Sequence, residues 1–174
     1  MPDDERAAQI EYYRKFLTPL GIGLGVVAMG LAGMFYMQRG AHVELKGSVL
    51  KVRTAALDET SSVAVIDFRF VNPSNYPFVV RTVDVTMEEK NGKVVTSEPV
   101  SETDAKQLFQ ALPLLGQKFN DSLIMRDKIP AKQAEDRMIA ARFPLPVDKL
   151  EERKRFRIRI EDVDGPVSEM VEKP

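Results

Sequence analysis

Twenty-one consecutive residues, Leu17 to Met37 (LTPLGIGLGVVAMGLAGMFYM), carry no charge. As a helix rising about 1.5 Å per residue, such a run is about 30 Å long, the thickness of a bilayer's hydrocarbon core. Tyr12, Tyr13 and Phe16 precede it, and Phe35 and Tyr36 close it. Aromatics at both ends match the interfacial belts of spanning helices. Arg14-Lys15 and Arg39 bracket the run as snorkelling anchors would. Pro19 falls in the first turn of a helix that starts at Leu17, where its missing N–H costs little. A buried core helix in so small a chain rarely shows so long an uncharged stretch. A cleaved signal peptide has a shorter apolar region and a small-residue cleavage site, whereas this run ends in Met-Phe-Tyr-Met-Gln-Arg. An uncleaved single-pass anchor is therefore expected, and with it a place in the cell membrane.

Six of the ten glycines lie in or beside this run: Gly21, Gly23, Gly25, Gly30, Gly33 and Gly40. Gly21, Gly25, Ala28 and Ala32 follow one another at spacings of 4, 3 and 4, a ridge of small residues on one helix face. Such a ridge lets a second helix approach closely, and glycine is also simply common in membrane helices. The ridge makes another membrane protein, or a copy of this chain, the expected partner within the bilayer. Basic residues are nearly balanced across the span, with Arg6, Arg14 and Lys15 before it and Arg39, Lys46, Lys51 and Arg53 after it. Arg14-Lys15 abuts the run, so the expected topology has the N-terminus inside and the following domain on the outer face.

Composition excludes several chemistries. Lys+Arg 25 against Asp+Glu 26 leaves a net charge of −1, which argues against a nucleic-acid binder. There is no cysteine, hence no disulfide, thiolate metal site or cysteine nucleophile. The one histidine, His42, sits next to the span, and general-base work needs positioned partners. Neither a G-x-S-x-G elbow nor a P-loop nor an H-E-x-x-H motif is present, and Ser61-Ser62 and Ser97 lack any such context. No catalytic residue, metal ligand or cofactor is expected, and the chain is read as a non-enzyme.

The chain beyond the span reads mainly as β. Phe156, Ile158 and Ile160 alternate with Arg155, Arg157 and Arg159, the period of a strand with one face inward. Val83, Val85 and Met87 alternate with Thr82, Asp84, Thr86 and Glu88. Asn91-Gly92 then precedes Lys93 to Thr96, a hairpin signal in which both turn residues tolerate positive φ. Ser62 to Val71 is β-rich, with a phase shift near Val65-Ile66 that implies either a bulge or burial on both faces. Val43 to Arg53, Leu123 to Met125 and Met138 to Phe143 are further strand candidates. Ser101 with Asp104 resembles a capping box opening a short helix that carries Leu108, Phe109 and Leu112 on one face and ends at Pro113. About seven strands with polar turns point to an antiparallel β-sandwich of immunoglobulin-like type with one inserted helix. The boundaries are a polar tail 1–16, a transmembrane helix 17–37, a linker 38–42, the sandwich 43–163 and a tail 164–174.

Asp67 to Pro77 (DFRFVNPSNYP) resembles the strand, Asn-Pro and turn signature of late-embryogenesis-abundant group 2 domains, also called water-stress-and-hypersensitive domains. The Asn91-Gly92 hairpin, Lys128 to Ala131 and the Phe143 to Pro146 segment are similar in order and spacing, so the resemblance covers roughly residues 43–163. It implies a fibronectin-III-like sandwich, frequent membrane anchoring and no established catalytic site. The Thr103–Leu115 insertion departs from that family's short loops. Independently of the resemblance, Pro73 removes a ladder donor and Asn72 bonds nearby backbone, as a structural corner requires.

Three further features have a chemical reading. Asp162-x-Asp164-Gly165 resembles part of a calcium loop, but Pro166 breaks the pattern and a turn is the simpler reading. Arg155, Arg157 and Arg159 form a basic stripe that either meets acidic lipid or an acidic partner, or is a solvated face paired with acids. Leu108, Phe109 and Leu112 either seal the core or present a partner surface. Two functions follow: a membrane-anchored module that binds a protein or envelope partner, as in a membrane complex, or a lipid- or small-ligand-handling or stress-protective domain.

Overall fold

The computed structural model describes residues 3–38 and 44–173, which fall into two units, one before and one after residue 42–43. Arg39, Gly40 and His42 lie outside the described residues. In the first unit, helix α1 runs Asp3–Gln38. Glu, Arg, Ala, Gln and Lys, all good helix formers, carry it well upstream of the apolar run. The expected tail 1–16 is therefore mostly helical, and Pro19 stands inside the helix, where it removes one i→i−4 bond, rather than in its first turn. Leu17–Tyr36 is long and apolar enough to cross a membrane, and none of its surface is buried. Its apolar residues occupy the whole circumference, unlike a helix that buries one stripe on a soluble core.

The second unit is a β-sandwich. Strands β1 (Lys46–Ala56), β2 (Ser62–Val71), β3 (Phe78–Glu88), β4 (Val94–Thr96) and β5 (Glu98–Pro99) precede helix α2 (Glu102–Ala111) and a 3-10 turn Pro113–Leu115. Strands β6 (Lys128–Ile129) and β7 (Ala134–Phe143), helix α3 (Val147–Glu151), and strands β8 (Arg155–Asp162) and β9 (Val167–Val171) complete it. One sheet has the order β1-β2-β7-β5; the other has β4-β3-β8-β9, with β6 on β3, and every pairing between named strands is antiparallel. Lettering β1, β2, β3, β5, β7, β8 and β9 as A to G gives sheets ABED and CFG, the immunoglobulin-like arrangement.

Alternation builds the inter-sheet core. Phe156, Ile158 and Ile160 of β8 are fully buried while Arg155, Arg157 and Arg159 face out. In β3 a bulge at Arg81 shifts the inward phase, so Phe78 and Val80 point in before it and Val85 and Met87 after it. Phe68 and Phe70 stack at 5.8 Å and Phe143 and Phe156 at 5.6 Å. In β1 the bulge lies between Val49 and Lys51. The phase shift of β2 is not a bulge: Ala64, Ile66 and Phe68 face the partner sheet, and Val63 and Val65 are covered on the other side. Gly47 sits where β1 crosses tightly over β2 and β9. A Cβ there would meet the Arg69 carbonyl oxygen, with Met170 Sδ at 2.7 Å and Phe70 Cβ at 2.9 Å.

Three expectations are corrected. Residues 164–174 are not a tail, because β9 pairs with β8 and buries Ser168 and Met170. A serine and a methionine as inward residues made that strand hard to see. Leu123-Ile124-Met125 is no strand; only Ser122 makes an isolated parallel bridge, to Met138, and the chain then turns. The Asn91-Gly92 hairpin forms, but only Gly92 takes positive φ (89°), while Asn91 Oδ1 accepts the Lys93 N–H at 2.8 Å. The loop is a longer Glu89–Lys93 turn closed by Glu89 N–H to Lys93 O.

Asn72 is the corner between the sheets. It is fully buried, its Nδ2 donates to Tyr76 O (2.8 Å) and Ile129 O (3.2 Å), and its Oδ1 accepts the Ser74 N–H at 3.0 Å. The Asn-Pro signature thus works as a hydrogen-bonding plug that fixes the β2 exit.

Candidate functional site

A sandwich strand facing solvent on its outer side carries polar residues there. The outer face of the β1-β2-β7 sheet instead carries Ala55, Val63, Val65, Met138 and Ala140, and each is buried. The insertion after β5 covers them. Ser101 caps α2, its hydroxyl accepting the Asp104 N–H at 3.1 Å, so the helix starts where the sequence indicates. Ala105 and Leu115 are buried in this second core, and Leu108, Phe109 and Leu112 pack half-buried against it.

Beneath the insertion lies a buried ion pair. Arg53 of β1 and Asp67 of β2 meet at 2.6 Å with side chains only 8% and 6% exposed. The Arg53 Nη1 also donates to Leu115 O (2.6 Å) and Gln117 O (2.7 Å), and its guanidinium lies 5.1 Å from the Phe109 ring and 5.6 Å from the Phe119 ring. Asn120 Nδ2 donates to the second Asp67 oxygen at 2.9 Å. A planar, forked cation suits this place, since it bonds two carbonyls and a carboxylate while stacking on aromatic faces. A second tie is Glu102, which accepts from the Ser122 N–H at 3.2 Å and pairs with Lys118 at 2.9 Å. Burial pushes its carboxyl up, but these donors and Lys106 outweigh burial and hold it at about 2. Burial pulls the Lys118 ammonium down, yet Glu102 and Asp121 raise it overall.

Beside α2 a cleft of about 470 Å³ opens between the helix and the sheet, walled by Leu57, Val100, Leu108 and Ala111. Arg142 and Glu98, register partners on β7 and β5, stand at its mouth, and neither forms an ion pair among the described residues. Arg53 and Arg142 escape notice as site residues in the sequence because each occupies an ordinary outward position of its strand. The one available signal is Asp67, a carboxylate in the middle of an otherwise apolar run.

The basic stripe is a different surface. Arg155 pairs with Glu88 (2.6 Å), Arg157 with Glu169 (3.3 Å) and Arg159 with Asp84 (3.7 Å) and Glu161 (3.8 Å). Register sets these pairs, because Glu88 lies opposite Arg155 and Asp84 opposite Arg159. The stripe is a charge ladder across β3, β8 and β9, on the other sheet from Leu108, Phe109 and Leu112. The small-residue ridge Gly21, Gly25, Ala28 and Ala32 is exposed on α1, and a Cβ built on either glycine meets nothing within 4 Å. Asp162 closes a turn at Gly165, whose φ is 100°, and its carboxylate accepts the Val79 and Asp164 N–H groups. Among the described residues no group of three acidic or histidine side chains is placed to hold a metal ion. Ser61, Ser62 and Ser97 spend their hydroxyls on Asp58 Oδ2, Leu145 O and Val85 O.

No family model matches the chain, and no curated protein matches it. Among solved structures it is similar to an uncharacterized β-sandwich protein from Clostridium difficile 630, at 9% identity over 75% of this chain and 86% of that one, with a TM-score of 0.35. A likeness that distant carries no argument about function, and the sandwich is established by the strand pairing itself.

Proposed function

We propose that this chain is a single-pass membrane protein whose β-sandwich is a non-catalytic module that binds a protein partner as part of a membrane complex, on the outer face. The observation that carries this reading is the Leu17–Tyr36 helix, apolar around its circumference and nowhere buried. Spanning a bilayer satisfies both properties at once. The sandwich supports the binding role through its cleft beside α2, whose apolar walls suit an apolar side chain of a partner. The ridge Gly21, Gly25, Ala28 and Ala32 supplies the contact within the bilayer. Kinship with late-embryogenesis-abundant group 2 domains belongs to the same proposal and is supported by the Asn72 corner.

The test is fractionation of the full-length protein. It is expected to stay in the pellet through carbonate washing, to lose its sandwich to protease added from outside, and to bring down a stoichiometric protein from detergent extract. Recovery in the carbonate supernatant would overturn the reading. The volume of the cleft also favours a second reading, a small apolar ligand held beside α2, since about 300–1,000 Å³ is the range of small-molecule sites. Co-purification of lipid alone, without a protein, decides for that alternative.

A further inference from the structure

The stripe Arg155, Arg157 and Arg159 is neutralised by its own sheet, so cations outside ion pairs lie elsewhere, Arg142 beside α2 being one and a group around β6 another. Arg126, Lys128 and Lys132 are all exposed, and none forms an ion pair among the described residues. They lie within seven residues of one another, and backbone bonds fix that segment at one end of the fold. Lys128 pairs with Val79 through β6, the Arg126 N–H donates to Val80 O at 2.7 Å, and the Lys132 N–H donates to Asn72 O at 2.9 Å. Around them stand large apolar residues with nothing over them: Tyr76 at 65% exposure, Met125 at 64% and Val163 at 49%. Val163 donates its N–H to Val79 O, which ties that turn to the same end.

Two features single this end out. Arg126 (φ 73°) and Lys132 (φ 60°) are the non-glycine residues with positive φ among the described ones. Glycine or asparagine adopts such a turn tip at less cost, so the backbone here is held in a disfavoured form with a cation at each tip. The chain also enters the sandwich here. Only residues 39–44 separate the last residue of α1 from Leu45, whose N–H donates to Ser168 Oγ at 2.8 Å, and an extended segment of that length reaches at most about 25 Å. The exposed acids at this end are Glu44 and Asp164; the Asp127 and Asp162 carboxylates are spent on backbone N–H groups of Ile124, Val79 and Asp164.

From cations outside any ion pair (the Lys132 ammonium donates to the Pro73 carbonyl oxygen), apolar tips between them and the entry of a membrane-spanning segment, we infer that this end of the sandwich docks on the bilayer surface. Arg126, Lys128 and Lys132 meet anionic lipid headgroups, and Tyr76, Met125 and Val163 dip into the interface. The inference rests on the membrane-anchor reading above and adds to it: the module does not hang free on its linker but rests on the lipid through this face. Basic groups within a Debye length of an anionic leaflet are drawn to it, and aromatic and apolar tips favour the headgroup boundary.

The absence of cysteine permits a direct test. The full chain carrying Val163→Cys, or Glu59→Cys at the opposite end as control, is labelled with an environment-sensitive fluorophore. It is reconstituted into vesicles of phosphatidylcholine alone or with about one third phosphatidylserine, together with a headgroup-level spin-labelled quencher. With phosphatidylserine the label at 163 is expected to shift to the blue and be quenched about twofold more than the label at 59. The excess is expected to fall in phosphatidylcholine alone and in the triple variant Arg126→Asn, Lys128→Gln, Lys132→Asn, whose asparagines tolerate the left-handed positions. Equal quenching at 163 and 59 in protein that floats with the vesicles overturns the docking inference and leaves the anchor standing. Excess quenching that ignores both lipid charge and the triple variant overturns the role of the cations. Protein that never enters the vesicles overturns anchor and docking together.

Discussion

Single residues in this sandwich are constrained by how closely its strands approach one another. Gly47 is a case of space: any side chain there must push into the Arg69 carbonyl and the Met170 sulfur. Gly47→Ala is expected to lower stability by about 1–3 kcal/mol in urea denaturation, as overpacking does, while leaving membrane insertion unchanged. Glu102 is a case of charge. Its carboxyl is held at about 2 against an ordinary value of 4.5, so its contribution is complete above pH 4.5 and is lost as pH falls toward 2. Asp58, held at about 2 by the Ser61 hydroxyl and the Thr60 N–H and hydroxyl, titrates in the same window. Glu102→Gln is therefore expected to cost roughly 1 kcal/mol at neutral pH and to flatten only part of the loss of stability between pH 4.5 and 2, measured by denaturant titration at each pH.

At the scale of elements, the inserted helix shows how a local signal and a distant one combine. Ser101, Asp104 and Pro113 mark where α2 begins and ends, and that much is legible because capping and proline act on neighbouring backbone. Where the helix lies is set by residues far away in the chain, the Arg53–Asp67 pair and the apolar outer face of β1, β2 and β7. Removing one member of a buried pair strands the other charge. Asp67→Leu alone is expected to cost about 3–5 kcal/mol and to loosen residues 102–120 in hydrogen exchange. Arg53→Met with Asp67→Leu is expected to fall short of the sum of the single changes by about 2 kcal/mol, and additive costs would show that the pair is not coupled. The same logic explains β2. Its broken alternation signals two covered faces, which becomes plain only when α2 is seen to supply the second cover.

For the whole molecule, the apolar helix and the sandwich differ in pattern, one apolar all round and the other apolar mainly inside. If the small-residue face of α1 carries association in the bilayer, Gly25→Leu is expected to weaken it severalfold in a membrane two-hybrid reporter without altering the sandwich's melting temperature, and an unchanged signal would remove that role. The sequence by itself determined the apolar helix, long enough to cross a membrane, the inward phase of β8 and of most of β3, the α2 cap and the Asn72 corner. Each is written in the spacing of neighbouring residues, and hydrophobic period, capping and turn chemistry act over a few positions. Only the tertiary structure decided which charges are free. Register set Arg155, Arg157 and Arg159 opposite acids, the insertion buried Arg53 on Asp67, and Arg126, Lys128 and Lys132, close together in the chain, were left with no acid to pair with among the described residues. A charge is neutralised by what lies near it in space, and in an antiparallel sandwich those neighbours come from strands tens of residues apart.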